Sequence, residues 1–168
     1  MNLPKELFSG MAIFAAVGSG LMGGLFFAFS NFVMRALMQQ PPENGIRAMQ
    51  AINVTVVNPL FLFIFLGTAL ASLVLTVAAV LQRTQLDAPC LLAGCALYLI
   101  GTFGVTILAN VPLNDRLASQ DPLTAQAAQF WPEYVSKWVK WNHVRTVASL
   151  GATTLLILAV RQTPPPSG

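Results

Sequence analysis

Charged residues in this chain come in clusters, separated by long apolar stretches. Residues 7–34, 48–82, 88–114 and 146–160 contain no Asp, Glu, Lys or Arg. A helix that crosses a bilayer needs roughly 20 apolar residues at ~1.5 Å rise each. The first three stretches exceed that length, and the fourth needs about one more turn from its N-terminal side. The apolar positions run continuously and do not alternate, which argues against barrel strands. A backbone shielded from water must satisfy its own hydrogen bonds, which favours helices. The pattern therefore predicts an all-α, four-helix transmembrane bundle. The helices are expected over about 9–36, 54–81, 88–109 and 142–161, in one integral membrane domain spanning 1–168.

The connections carry their own signals. Residues 37–53 hold Pro41, Pro42 and Gly45, then IRAMQAI, which reads as a short helix. The second connection, QRTQLDAP, is tight. The third contains DPLTAQAAQFWPEYVSKWVKW, in which Asp121 or Thr124 is placed to cap a helix and Pro132 to interrupt it. Trp131, Trp138 and Trp141 are the tryptophans of the chain. They predict an interfacial amphipathic segment between helices 3 and 4, with aromatic rings at headgroup level.

Composition agrees with a membrane setting. The chain is 55% hydrophobic and 9% charged, with a mean hydropathy of +0.67, whereas a soluble domain carries about 25% charged residues. The expected location is a membrane, with a bacterial inner membrane as the finer expectation, and membrane lipid is a partner. A net charge of +3 is too small to argue for nucleic acid. Arg35, Arg47, Arg116, Lys137, Lys140 and Arg145 fall on one side, against Lys5, Arg83 and Arg161 on the other. The positive-inside rule then puts both termini outside. Cys90 and Cys95 lie on different helix faces and read as small apolar packers. In GSGLMGG, Gly20 and Gly24 form GxxxG, with Ser19 and Gly23 as a second small pair. Such a face lets helices approach closely, within the bundle or in a homo-oligomer through helix 1. It also allows a gap for a flat ligand.

Sorting the polar residues by an antiparallel topology reveals an asymmetry. Ser30, Asn31, Arg35, Asn53, Asn58, Thr106, Asn110, Asn114, Asn142, His143 and Arg145 all fall at one end of the bundle. Asn is costly in hydrocarbon unless paired, so their grouping predicts one polar pocket. The short fourth stretch draws Arg145 and His143, the single histidine, towards the membrane boundary. Trp138, Trp141, Asn142 and Arg145 fall at i, i+3, i+4 and i+7, one stripe of a helix. One His and six scattered acids make a metal cage unfavourable, so no metal is expected. A haem held by His143 is the alternative. The inventory of one imidazole, one guanidinium, amides and aromatic walls suits a flat, weakly acidic, oxygenated molecule. It also suits simple binding of a lipid or quinone.

Four stretches carry a family resemblance: GGLFFAFSNFVMRAL, MQAINVTVVNPLF, NVPLNDRLA and W-x2-WNHVRTVASLGA. Over nearly the whole chain they resemble the DUF1772, or anthrone oxygenase-like, family of small four-helix membrane proteins. The resemblance implies oxidation of an anthrone to an anthraquinone with O2 and no added cofactor. Asn53, Asn58 and Pro59 match the second-span signature. Asn110, Pro112, Asn114 and Arg116 match the loop signature, and Trp141, Asn142 and Arg145 the fourth-span signature. On this reading His143 is the general base and Arg145 holds the oxyanion. Asn31, Asn53, Asn58, Asn110, Asn114, Trp141 and Asn142 bind substrate. The rival reading is a non-catalytic protein that holds a lipid, quinone or haem in the same pocket.

Overall fold

The computed structural model describes residues 5–82 and 88–161. Among the described residues seven α-helices follow in order: α1 (Lys5–Ala28), α2 (Met34–Met38), α3 (Pro42–Thr55), α4 (Pro59–Gln82), α5 (Ala88–Ala96), α6 (Val111–Ala118) and α7 (Ala125–Arg161). No strand occurs among them. A π-helical turn, Phe29–Val33, joins α1 to α2. Two more, Leu97–Gly104 and Thr106–Asn110, join α5 to α6. Four continuous helical runs among these residues are long and apolar enough to cross a membrane: Glu6–Met38, Pro59–Leu81, Ala88–Ala118 and Ala125–Arg161. The tight second connection lies mostly outside the described residues.

The spans form a ring. The first packs between α4 and α7, and the third packs between the same two on the other side. At one end Phe8, Ala78, Leu91 and Leu156 share a buried cluster. This places the start of span one beside the end of α4, the start of α5 and the end of α7. At the other end Met34, Met49, Leu113 and Trp131 form a second cluster. The arrangement is therefore antiparallel, with the first and last helices leaving the bundle at the same end. The GSGLMGG face closes the seam between α1 and α7. A Cβ on Gly23 would sit 2.9 Å from the Leu150 side chain, and one on Gly20 would be 3.6 Å from Thr153. Gly20 and Gly23 of that stripe are thus used within the bundle, whereas Gly24 is exposed. Cys95 is fully buried, and Cys90 packs against the same cluster.

Two boundaries differ from the sequence-based expectation. The chain turns at residues 56–58, so 54 and 55 end α3 and do not begin α4. Asn58 caps α4, its side-chain oxygen accepting the Phe61 N–H at 3.1 Å. More consequentially, α7 does not begin near 142. Thr124 caps it, its hydroxyl accepting the Ala127 N–H at 3.2 Å, and the helix runs through Pro132 without interruption. Its 37 residues measure about 55 Å, well beyond the ~30 Å hydrocarbon core.

The expected amphipathic segment is thus helical, but it stands on the fourth span as its continuation. Trp131 and Trp138 do not anchor it at headgroups. They are buried with Tyr134 against Met34, Ile46 and Leu117, while Trp141 is 41% exposed. Burial of that aromatic face stabilises the extension and outweighs the backbone bond lost at Pro132. Outside the apolar core, α2, α3, α6 and the first half of α7 therefore build a compact polar-end cap.

Candidate functional site

Where the cap meets the spans, the bundle encloses a cavity of about 330 Å3. That volume lies within the ~300–1,000 Å3 range of small-molecule sites. Each wall follows from helix periodicity. From α6, Val111, Asn114, Asp115 and Ala118 line it at i, i+3, i+4 and i+7. From α3 come Met49, Gln50 and Asn53, from span one Phe26 and Phe29, and from α7 Trp138 and Arg145. Two of the three π turns contribute a lining residue, Phe29 and Thr106. Such widened turns recur at functional sites because they re-aim side chains and disturb the regular ladder.

Arg145 dominates the cavity. Its side chain is buried at 5% exposure, stacked over Phe26 at 4.2 Å and Trp138 at 5.1 Å from the ring centroids. One Nη donates to Asn142 Oδ1 at 2.6 Å and the other to Thr106 Oγ1 at 3.3 Å. Its Nε has no hydrogen-bond partner among the described residues. Among the described residues the one ion pair is Lys137–Glu133, so the buried guanidinium carries its charge without a carboxylate contact. An unpaired buried charge costs several kcal/mol. A cavity that holds one open is therefore built for a negative or oxygen-rich guest.

The surrounding amides are held rigidly. Tyr134 Oη and Trp138 Nε1 both donate to Asn114 Oδ1, each at 2.9 Å. Asn114 thus presents its NH2 group as the end not engaged in those bonds. Asn142 Nδ2 donates to the Phe26 carbonyl at 2.6 Å and to Ser30 Oγ at 2.5 Å. This ties α7 to span one just as the π turn begins. Asn110 Nδ2 donates to the Trp138 carbonyl at 3.3 Å, tying the third span to α7. Asn53 faces the Tyr134 hydroxyl, yet its Nδ2 makes no well-formed hydrogen bond. Gln50 clamps α3 to the end of α6, donating to the Leu117 and Gln120 carbonyls at 2.9 and 3.0 Å.

Residues 59–155 of the chain match the anthrone oxygenase family. The chain belongs to the anthrone oxygenase family. No curated protein and no solved structure matches it. In this member, the candidate residues that the sequence suggests separate into three groups. Arg145, Asn53 and Asn114 line the cavity. Asn110 and Asn142 are buried behind its wall as helix ties. Asn31, Asn58, Trp141 and His143 are exposed and do not line it.

The physical reason for the last group is angular. At 3.6 residues per turn, a residue two positions along points nearly the opposite way. Burying Arg145 therefore sends His143 outward, into a shallow groove with Arg35 and Lys140. Asn31 turns away because its neighbour Ser30 faces Asn142. Trp138, not Trp141, is the cavity tryptophan. Asp115, Gln50, Phe26, Phe29 and Phe61 also line the cavity, and the sequence pattern does not mark them as candidates. For Asp115 the i, i+3, i+4, i+7 stripe of NVPLNDRLA is the one available signal, and it includes Asn114.

Proposed function

We propose that this protein oxidises a flat, phenolic, anthrone-like molecule with O2 to the corresponding quinone in the Arg145 cavity, without a resident cofactor. The observation that carries the reading is the buried Arg145 guanidinium, with an unsatisfied Nε and aromatic rings on its faces. An anthrone offers what such a site recognises: a planar aromatic body and an oxygen that becomes anionic when the doubly benzylic CH2 loses a proton. Phe26, Phe29 and Phe61 supply flat walls, and Asn53 and Asn114 supply amides. Val54 and Val57 line the cavity while remaining 77% and 61% exposed. An apolar substrate can therefore enter sideways from the bilayer.

The base is Asp115, the carboxylate that lines the cavity. It takes one CH2 proton, and the resulting anthrolate places its charge on the oxygen beside Arg145. The electron-rich anion gives one electron to O2, and the carbon radical and superoxide combine to a peroxide anion, which takes the proton back from Asp115 to become a hydroperoxide and leaves the carboxylate free again. Loss of the second benzylic proton breaks the O–O bond and forms the new carbonyl. Hydroxide leaves and takes up a proton as water. One oxygen atom ends in the quinone and the other in water, which accounts for all four electrons. The protein contributes deprotonation, desolvation and oxyanion stabilisation.

The test is oxygen uptake by purified protein given an anthrone, with Asp115→Asn and His143→Gln compared at equal folded protein. Asp115→Asn should lower turnover by about 10²–10⁴, the usual contribution of a general base. His143→Gln should stay within about threefold. A protein that retains a flat aromatic but consumes no O2 would be a binding protein with the same cavity.

A further inference from the structure

A second concavity lies outside the Arg145 cavity and shares no residue with it. It is a shallow groove of about 540 Å3 on the outer seam between span one and α7. Its polar lining is Ser30 and Arg35 from span one, with Ser136, Lys140 and His143 from α7. Among the described residues no carboxylate lines it, and the Lys137–Glu133 pair involves none of its residues. Two permanent cations and the chain's imidazole thus face one space without an anion.

Their depth is informative. Arg35 directly follows the charge-free run 7–34, and His143 lies just before the run 146–160. The groove therefore sits where both helices leave the apolar layer, at phosphate level. About one turn deeper, at i−3 from Ser30 and i+4 from His143, the two helices carry Phe27 and Val147, 54% and 72% exposed. Span one also carries the exposed Gly24, where an added Cβ would meet nothing within 4 Å among the described residues. A basic head site thus opens onto an apolar track along the outside of the bundle.

We propose that this groove binds an anionic phospholipid, its phosphate between Arg35, Lys140 and His143 and an acyl chain along the Gly24–Val147 seam. Charge complementarity selects the lipid. A zwitterionic headgroup brings its own cation to the phosphate, whereas an anionic one leaves its charge for the groove. Juxtamembrane Lys and Arg residues draw anionic lipids additively. Two of them on separate helices, with an apolar track below, turn that general attraction into a site.

Native mass spectrometry of the purified full-length protein, titrated with phosphatidylglycerol or phosphatidylcholine, tests this. The wild type should retain one phosphatidylglycerol in preference to phosphatidylcholine. Arg35→Gln/Lys140→Gln should weaken that retention about ten- to thirtyfold. Lys137→Gln, a cation on the same helix outside the groove, should leave it within about twofold. Gly24→Leu, which fills the track without changing charge, should also weaken it. Equal retention of both lipids, unchanged binding in the double variant, or an equal loss with Lys137→Gln would overturn the proposal. So would displacement of the lipid by inorganic phosphate alone, which would make the groove a free-phosphate site.

Discussion

The Arg145 guanidinium and the Asn142 side-chain oxygen meet at 2.6 Å, one turn apart on α7. The same Asn142 amide reaches across to the Phe26 carbonyl of span one. A single side chain thus aims the cavity's cation and clamps the two helices that flank it. Replacing it with leucine should remove both functions at once. Asn142→Leu is expected to lower stability by about 1–3 kcal/mol, since the Phe26 carbonyl and Arg145 lose a buried partner. It should also lower oxygen uptake. Thermal unfolding in detergent, beside turnover at equal folded protein, checks both. An unchanged midpoint would mean that these bonds contribute nothing to folding.

Arg145 offers a planar fork, with one arm on Thr106 and another on Asn142. Lysine replaces that fork with a point charge and cannot stack in the same way on Phe26 and Trp138. Arg145→Lys should reduce turnover by about 10²–10³, the usual effect of losing an oxyanion donor. His143→Gln should have little effect. The opposite ranking, measured as oxygen uptake with an anthrone, would return the chemistry to the outer groove.

The two neighbouring tryptophans should behave differently. Trp138 is buried and donates to Asn114, whereas Trp141 is 41% exposed. Trp138→Phe keeps an aromatic wall but frees the Asn114 amide to rotate, so KM should rise severalfold. It should cost about 1 kcal/mol of stability, because Tyr134 still donates to the same oxygen. Trp141→Phe should leave both quantities near wild type. Steady-state kinetics on the two variants separates them.

Packing in the apolar layer makes a fourth prediction. A Cβ added to Gly101 would lie 2.5 Å from the Ala148 Cβ, so the third span and α7 would have to part. Gly101→Ala should destabilise by about 1–3 kcal/mol, as overpacking does. Gly10→Ala meets nothing within 4 Å among the described residues and should be neutral or slightly stabilising, because alanine is the better helix former. Unfolding midpoints of the two variants give the comparison directly. A tolerated Gly101→Ala would mean that the seam can relax.

Several features of this protein are local, and those are legible in the sequence. Each span follows from apolar length, the α7 cap from Thr124, and the body of α3 from IRAMQAI, although α3 begins earlier, at Pro42. The gathering of polar residues at one end follows from alternating helix direction alone. The start of α7 is not legible in the same way. Pro132 and the charged run ahead of residue 142 lower the local preference for one long helix. Only burial of Trp131, Tyr134 and Trp138 against α3 and α6 overrides them.

The site shows the same division more sharply. WNHVRT announces polar chemistry at a membrane boundary, but a helix spreads neighbouring residues around its whole circumference. Which arc faces inward is a property of the bundle. Packing of α7 against span one and the third span turns Trp138, Asn142 and Arg145 inward and sends Trp141 and His143 out. Likewise Asp115 becomes a cavity residue only because α6, continuing the third span, packs against α3, held there by Gln50. Apolar run lengths and helix direction are enough to establish four membrane crossings and a concentration of polar groups at one end. Which of those groups share a cavity is settled by the packed bundle, because helix rotation and close approach depend on contacts between residues far apart in the chain.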